Sequence, residues 1–215
     1  MTTSRANIQL FNQDCMEALK GMGDNQFDLA IVDPPYGIGM DGQKESFRKN
    51  GTLLRKGHKF KDWDNAIPSP EYFNELFRVS KDQIIWGGNY FVKYLKPSKG
   101  WIFWYKQQTG LTMSDGELAF SSYDKPTRIK GIHRGDVWRE NPIHPTQKPS
   151  RLYKWLLQNY AKEGDKILDT HLGSGSIALA CWDLCFDLTG YEIDKEYFDS
   201  AVARLERHKA QGQLF

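Results

Sequence analysis

Cysteine is scarce in this chain of 215 residues, with Cys15, Cys181 and Cys185 the only three. They form neither a disulfide framework nor the paired C-x-x-C spacing of a zinc site, so no metal is expected. Cys181 and Cys185, one helical turn apart, read as small core residues with free thiols. No apolar run approaches the roughly 20 residues that span a bilayer, and no signal peptide is recognisable. Together these absences predict a soluble protein of a reducing, cytoplasmic compartment. Neither sign of charge is in excess: Lys+Arg 29 against Asp+Glu 27 gives a formal net charge of +2. Any attraction for a polyanion must therefore be local. Two nucleotide-binding signatures are incomplete. Ala178 stands where G-x-G-x-x-G requires its last glycine, and no P-loop lysine follows, which disfavours ATP.

Aromatic residues are plentiful at 13%, with seven tryptophans. Strands are expected at 8–11, 27–33, 83–86, 101–105, 166–169 and 188–193, and 117–122 with 127–132 reads as a further strand pair. Helices are expected over 14–20, from Ser69-Pro70 onward with Ser69 as cap, over 150–160 with Ser150 as cap, over 176–184 and over 196–208. The alternation predicts an α/β, Rossmann-like, doubly wound and mostly parallel sheet in a single domain over 1–215. Between Gly37 and Lys61 periodicity collapses into glycines and basic residues, which predicts a long mobile loop (37–66 at its widest).

The strand at 27–33 ends in Asp33-Pro34-Pro35-Tyr36. Prolines carry no amide hydrogen and fix φ, so they end the sheet ladder and stiffen the chain beyond it. The result is a rigid shelf with a carboxylate, a carbonyl that cannot turn away and a flat ring. Those parts suit an exocyclic amino group on a planar base. Further along, the run from Asp169 to Gly175 (D-T-H-L-G-S-G) reads as strand, glycine turn and helix start. Such a turn lets the backbone approach a ligand closely, with amide donors at the helix start. Glu192, about twenty residues on, ends the next strand, where an acid takes ribose hydroxyls.

D-P-P-Y, then His144-Pro145-Thr146-Gln147-Lys148-Pro149, then the glycine turn: in this order the chain resembles the β-class DNA amino-methyltransferases, with motifs over most of its length. Asp14-Cys15-Met16 and Trp86-Gly87-Gly88-Asn89-Tyr90-Phe91 are similar to the family as well. The resemblance implies a methyltransferase fold with circularly permuted motifs, S-adenosylmethionine (SAM) as cofactor and double-stranded DNA as partner. It further implies that Asp33 and Pro34, followed by Pro35, hold the target amino group while Tyr36 stacks on a flipped base. On the cofactor side it implies Asp14 beside the adenine, Thr146 and Lys148 facing the carboxylate, and Glu192 on the ribose. Asp169, His171, Gly173, Ser174, Gly175 and Ser176 would shape the rest of that pocket. Thr170-His171 departs from the usual Pro-Phe, and His171 is assigned no proton transfer.

Asp before P-P-Y leans to adenine N6. A cytosine-N4 or RNA methyltransferase and a non-catalytic nucleic-acid-binding module are the alternatives. DNA contacts are expected from Lys44, Arg48, Lys49, Arg55 and Lys56 in the basic loop. Arg128 and Arg134 add to them from a small target-recognition insertion at about 106–141. Association with the nucleoid is expected of such an activity, and the resemblance implies a restriction-modification setting. Pairing into dimers is frequent in the resembling family. The last five residues, Gln211-Gly212-Gln213-Leu214-Phe215, resemble a peptide that docks on the replication sliding clamp.

Overall fold

The computed structural model describes residues 6–47, 51–55, 57–110, 114–133 and 135–211, the side chains of 53–55 excepted. The first half carries β1 (Ile8–Phe11), α1 (Cys15–Lys20), β2 (Phe27–Val32), β3 (Ser46–Phe47), β4 (Leu53–Arg55), α2 (Pro70–Val79), β5 (Ser80–Trp86) and β6 (Trp101–Tyr105). The second carries β7 (Gly116–Ser121), β8 (Arg128–Gly131), α3 (Gly135–Arg139), α4 (Ser150–Tyr160), β9 (Lys166–Asp169), α5 (Ser176–Leu184), β10 (Asp187–Tyr191) and α6 (Lys195–Gln211). Eight strands form one sheet in the order β1-β10-β9-β2-β5-β7-β6-β8. The five from β1 to β5 in that order are parallel, and β7 runs antiparallel to both neighbours.

β2 shows why such a sheet forms. Its sequence F-D-L-A-I-V is nearly all apolar, as suits a strand covered on both faces. Leu29 and Ile31 pack with Leu152, Leu156, Ile177 and Leu205 of α4, α5 and α6. Ala30 and Val32 pack on the other face with Leu19, Phe73 and Leu76 of α1 and α2. Helices thus cover both sides, and the doubly wound expectation is met. β9 continues through α5 to β10 on one side, while β2 continues through α2 to β5 on the other. The crevice at the carboxyl ends of β9 and β2 is therefore the topological switch point, where such sheets bind ligands.

Several expectations change. β7 and β8 do not pair with each other: β7 lies between β5 and β6, and β8 adds to the outer edge of β6 in parallel. Adjacency in the chain suggested a hairpin, but both edges of β7 are already paired. The expected basic loop is built as a ribbon, with β3 antiparallel to β4 and Gln43 bridged to His58 through two backbone bonds. Ser69 precedes α2 without a side-chain cap bond, the Tyr72 N–H donating to the Ser69 main-chain carbonyl at 3.1 Å, and Pro70 occupies the first turn. α4 begins on Ser150 itself, whose N–H and hydroxyl donate to the Glu140 carboxylate. That carboxylate also complements the positive end of the helix dipole. Cys181 is buried, but Cys185 is exposed in the left-handed turn closing α5.

Candidate active site

A cavity of about 1190 Å³ opens over the carboxyl ends of β2, β9 and β10. Its floor is the proline shelf. Tyr36 donates its hydroxyl to Asp33 Oδ1 at 2.6 Å, and Lys148 donates from Nζ to Asp33 Oδ2 at 2.5 Å. The ring of Tyr36 stacks on Tyr90 with centroids 5.1 Å apart and planes at 17°, and Tyr90 is 42% exposed within the cavity wall. Gly87, at φ +70°, sits against that ring so closely that a Cβ there would overlap it. The turn after β5 thus sets the aromatic platform from behind.

Lys148 is the electrostatic centre. Its side chain is 1% exposed and also meets Glu117 Oε2 at 3.0 Å, while Lys106 meets Glu117 Oε1 at 2.7 Å. Burial alone would lower Lys148, but the Asp33 and Glu117 carboxylates outweigh it and hold the ammonium above its ordinary value. Burial alone would raise Glu117, yet Lys148 and Lys106 pull it down to about 2. Burial dominates at Asp33 and holds it above the usual carboxylate range, opposed by the charge of Lys148. A carboxylate in this position depends on its lysine to stay ionised.

The opposite wall meets the requirements of a SAM pocket. Gly173 (φ +51°) and Gly175 (φ +69°) make the turn after β9, and the Gly173 N–H donates to Glu192 Oε2 at 2.8 Å. Glu192 Oε1 accepts from Asp194 N at 2.9 Å, and burial raises this carboxyl. Two backbone donors leave each oxygen a further lone pair for a hydroxyl. Ile193, 68% exposed, stands beside it as a bare apolar surface. The imidazoles of His171 and His144 are pushed by burial down to about 4 and about 3, so both are neutral. Volume, glycine turn and acid therefore fit the cofactor.

Not every expected residue faces the cavity. Thr146, His171, Gly173, Ser174 and Glu192 line it. Asp14 instead caps α1 by accepting from Met16 N at 2.7 Å. Asp169 lies behind the turn, 3% exposed, where burial pushes it up to about 8 and it accepts from His171 N. Ser176 points away, donating to the carbonyl of Lys148 at 2.7 Å and accepting from Arg204 at 2.9 Å. Lys148, expected at the cofactor carboxylate, is turned to the half-buried carboxylates of Asp33 and Glu117, whose charge its own buried ammonium needs.

Lys44 and Arg128 are exposed, on the ribbon and on β8 respectively. Arg55 belongs to β4, its side chain not described, and Arg48, Lys49, Lys56 and Arg134 lie outside the described residues. So do 212–215 of the tail, while Gln211 ends α6. Glu117, Lys106, Tyr90 and Asp64 were not expected. A glutamate inside the apolar strand G-E-L-A-F was the one readable sign, since buried acids are rarely unpaired.

A carboxylate shelf beside a pocket whose glycine turn and acid fit SAM, at the switch point of a doubly wound sheet, is the arrangement expected of a SAM-dependent amino-methyltransferase. A profile for the N6/N4 DNA methylases matches residues 79–203, more than half of the chain. The chain belongs to that family, and so is a SAM-dependent DNA methyltransferase of the N6/N4 type. It is similar to the Type II methyltransferase M.HpaI of Haemophilus parainfluenzae, 28% identical over 92% of this chain and 74% of that protein. In fold it is similar to M1.HpyAVI in complex with SAM, with a TM-score of 0.62, 20% identity, and coverage of 92% of this chain and 98% of the other. It is also similar to the cytosine-N4-specific PvuII DNA methyltransferase, with a TM-score of 0.60, 12% identity, and coverage of 96% and 92%.

Proposed function

We propose that this chain methylates adenine at N6 in duplex DNA, acting on a base taken out of the stack. The observation that carries the reading is the Asp33 carboxylate on the cavity floor, with Oδ1 set by Tyr36 and Oδ2 by Lys148. An aspartate in front of P-P-Y, where a serine would lean to cytosine N4, supports adenine. SAM, when bound, supplies an electrophilic sulfonium methyl.

The protein's own work is positioning. A base amino group is a poor nucleophile because its lone pair is delocalised into the ring. Asp33 and the carbonyl of Pro34 accept its two hydrogens, which frees the lone pair to turn out of the base plane. Tyr36, backed by Tyr90, holds the base flat. The amino nitrogen would take the methyl while the electron pair of the S–CH3 bond stays on sulfur as a neutral thioether. Cationic once the N–C bond is made, the nitrogen would shed its proton to water by way of Asp33. Lys148 stays protonated and stabilises the carboxylate beforehand. Such orientation can contribute several kcal/mol of the rate enhancement. Unstacking the base costs a few kcal/mol, and basic contacts from the ribbon to phosphates offset it.

Unmethylated DNA incubated with labelled SAM and digested to nucleosides tests the reading. Label in N6-methyladenine is expected; label in N4-methylcytosine overturns the choice of base. Asp33→Ala is expected to abolish turnover while SAM affinity stays within about threefold, since Asp33 lies on the amino-group side of the cavity. Near-normal turnover in that variant would remove the shelf from the mechanism.

A further inference from the structure

Pro34 and Pro35 have no amide hydrogens, so the first backbone donor after Asp33 is the N–H of Tyr36. It donates to Asp64 Oδ1 at 2.6 Å, 28 residues along the chain. Gly37 N donates to the same oxygen at 2.8 Å, and Met40 N donates to Oδ2 at 2.8 Å. Gly39 N donates to the main-chain carbonyl of Asp64 at 3.1 Å. Asp64 is 2% exposed. A buried carboxylate satisfied by three backbone donors is a strong, geometrically defined anchor. What it anchors is the exit of the proline shelf.

Its neighbours reach the other wall. Trp63 packs against His144 with centroids 5.1 Å apart. Lys61 meets Asp194 and Glu196, each at 2.7 Å, just beyond Glu192. The segment 61–64 therefore runs from the cofactor side of the cavity to the shelf.

We propose that Asp64 is a positioning residue for methyl transfer. It touches no reacting atom. By fixing the backbone of Tyr36 and Gly37 it fixes the hydroxyl on Asp33 and the ring under the base. The proposal rests on the amino-methyl transfer of this family and is indifferent to which base receives the methyl. Because a displacement of about 1 Å at a reacting centre can cost roughly 10²-fold in rate, loss of this anchor is expected in kcat and not in cofactor binding.

The test is steady-state transfer of labelled methyl to unmethylated genomic DNA by full-length wild type, Asp64→Ala and Asp64→Asn. SAM affinity is measured separately by calorimetry. Asp64→Ala is expected to lose about 100-fold in kcat, with SAM affinity within about threefold of wild type. In Asp64→Asn the amide oxygen can still serve Tyr36 and Gly37, while its NH2 meets the Met40 N–H donor to donor. That variant is expected between the two, about tenfold down in kcat. A kcat for Asp64→Ala near that of wild type overturns the proposal, as does a loss that appears in SAM affinity alone. Should Asp64→Ala not fold, Asp64→Asn decides: a tenfold loss with normal SAM affinity supports the role, and an unchanged kcat overturns it. Absence of methyl transfer by the wild type would instead overturn the methyl-transfer reading, and is recognisable as such in the same assay.

Discussion

Lys148 shows how a single side chain changes meaning once its surroundings are known. In the motif H-P-T-Q-K-P it reads as a ligand for a carboxylate. In the fold the carboxylates it meets are the protein's own, Asp33 and Glu117. Replacing it by methionine leaves the half-buried Asp33 without its cation and Glu117 with Lys106 alone, and removing one partner of a buried pair costs up to about 3–5 kcal/mol. The chemistry has the same sign. Burial already raises Asp33 and Lys148 opposes it, so without Lys148 the carboxylate needs a higher pH to ionise. The acid limb of the kcat–pH profile of Lys148→Met is expected to move up by at least about one unit, one pH unit corresponding to about 1.4 kcal/mol. A limb that stays in place would detach Lys148 from the state of Asp33.

Short elements carry the next layer of the design. The turn between β5 and the single helical turn at Gly88–Tyr90 brings Gly87 against Tyr36 at a backbone angle that favours glycine. Gly87→Ala adds about 1–3 kcal/mol of backbone strain and pushes the ring off its platform. It is expected to lower kcat more than tenfold and to reduce the thermal midpoint by several degrees, with SAM affinity kept. The β3–β4 ribbon is a separate matter of charge. A phosphate neutralised by a protein cation contributes about 0.9 to the slope of log K against log salt. Substituting Lys44 and Arg55 together with alanine is expected to flatten that slope for DNA binding by up to about 2. An unchanged slope would place the phosphate contacts elsewhere. The ribbon was invisible to periodicity because its pairs among the described residues are few: Ser46 with Arg55, Phe47 with Leu53, and one bridge beyond them.

At the scale of the whole molecule, titratable side chains packed into the fold make its stability depend on pH. His144 packs between Tyr197, at 4.4 Å, and Trp63, and burial lowers it to about 3. Its unfolded value is near 6.5, so the unfolded chain takes up the proton first as pH falls. The stability it contributes is present above 6.5 and is lost between about 6.5 and about 3. Relative to His144→Phe, the wild type is expected to lose on the order of 1–2 kcal/mol of unfolding free energy between pH 7 and pH 5. Paired thermal or denaturant unfolding at the two pH values measures it; a constant difference would show a solvated imidazole.

Much of the fold was readable because its causes are local. Apolar strands covered on both faces, prolines at Pro34 and Pro35, and positive-φ glycines at Gly173 and Gly175 depend on near neighbours in the chain. So the strand ends, the turns and the motif order could be read residue by residue. Pairings across the molecule could not. Lys148 reaches Asp33 over 115 positions, and Asp64 reaches Tyr36 over 28. Nor did adjacency reveal that β7 would slip between β5 and β6. Burial decides such contacts: once water is removed, a charge or a backbone amide left without a partner is costly, and folding alone supplies the partners within reach.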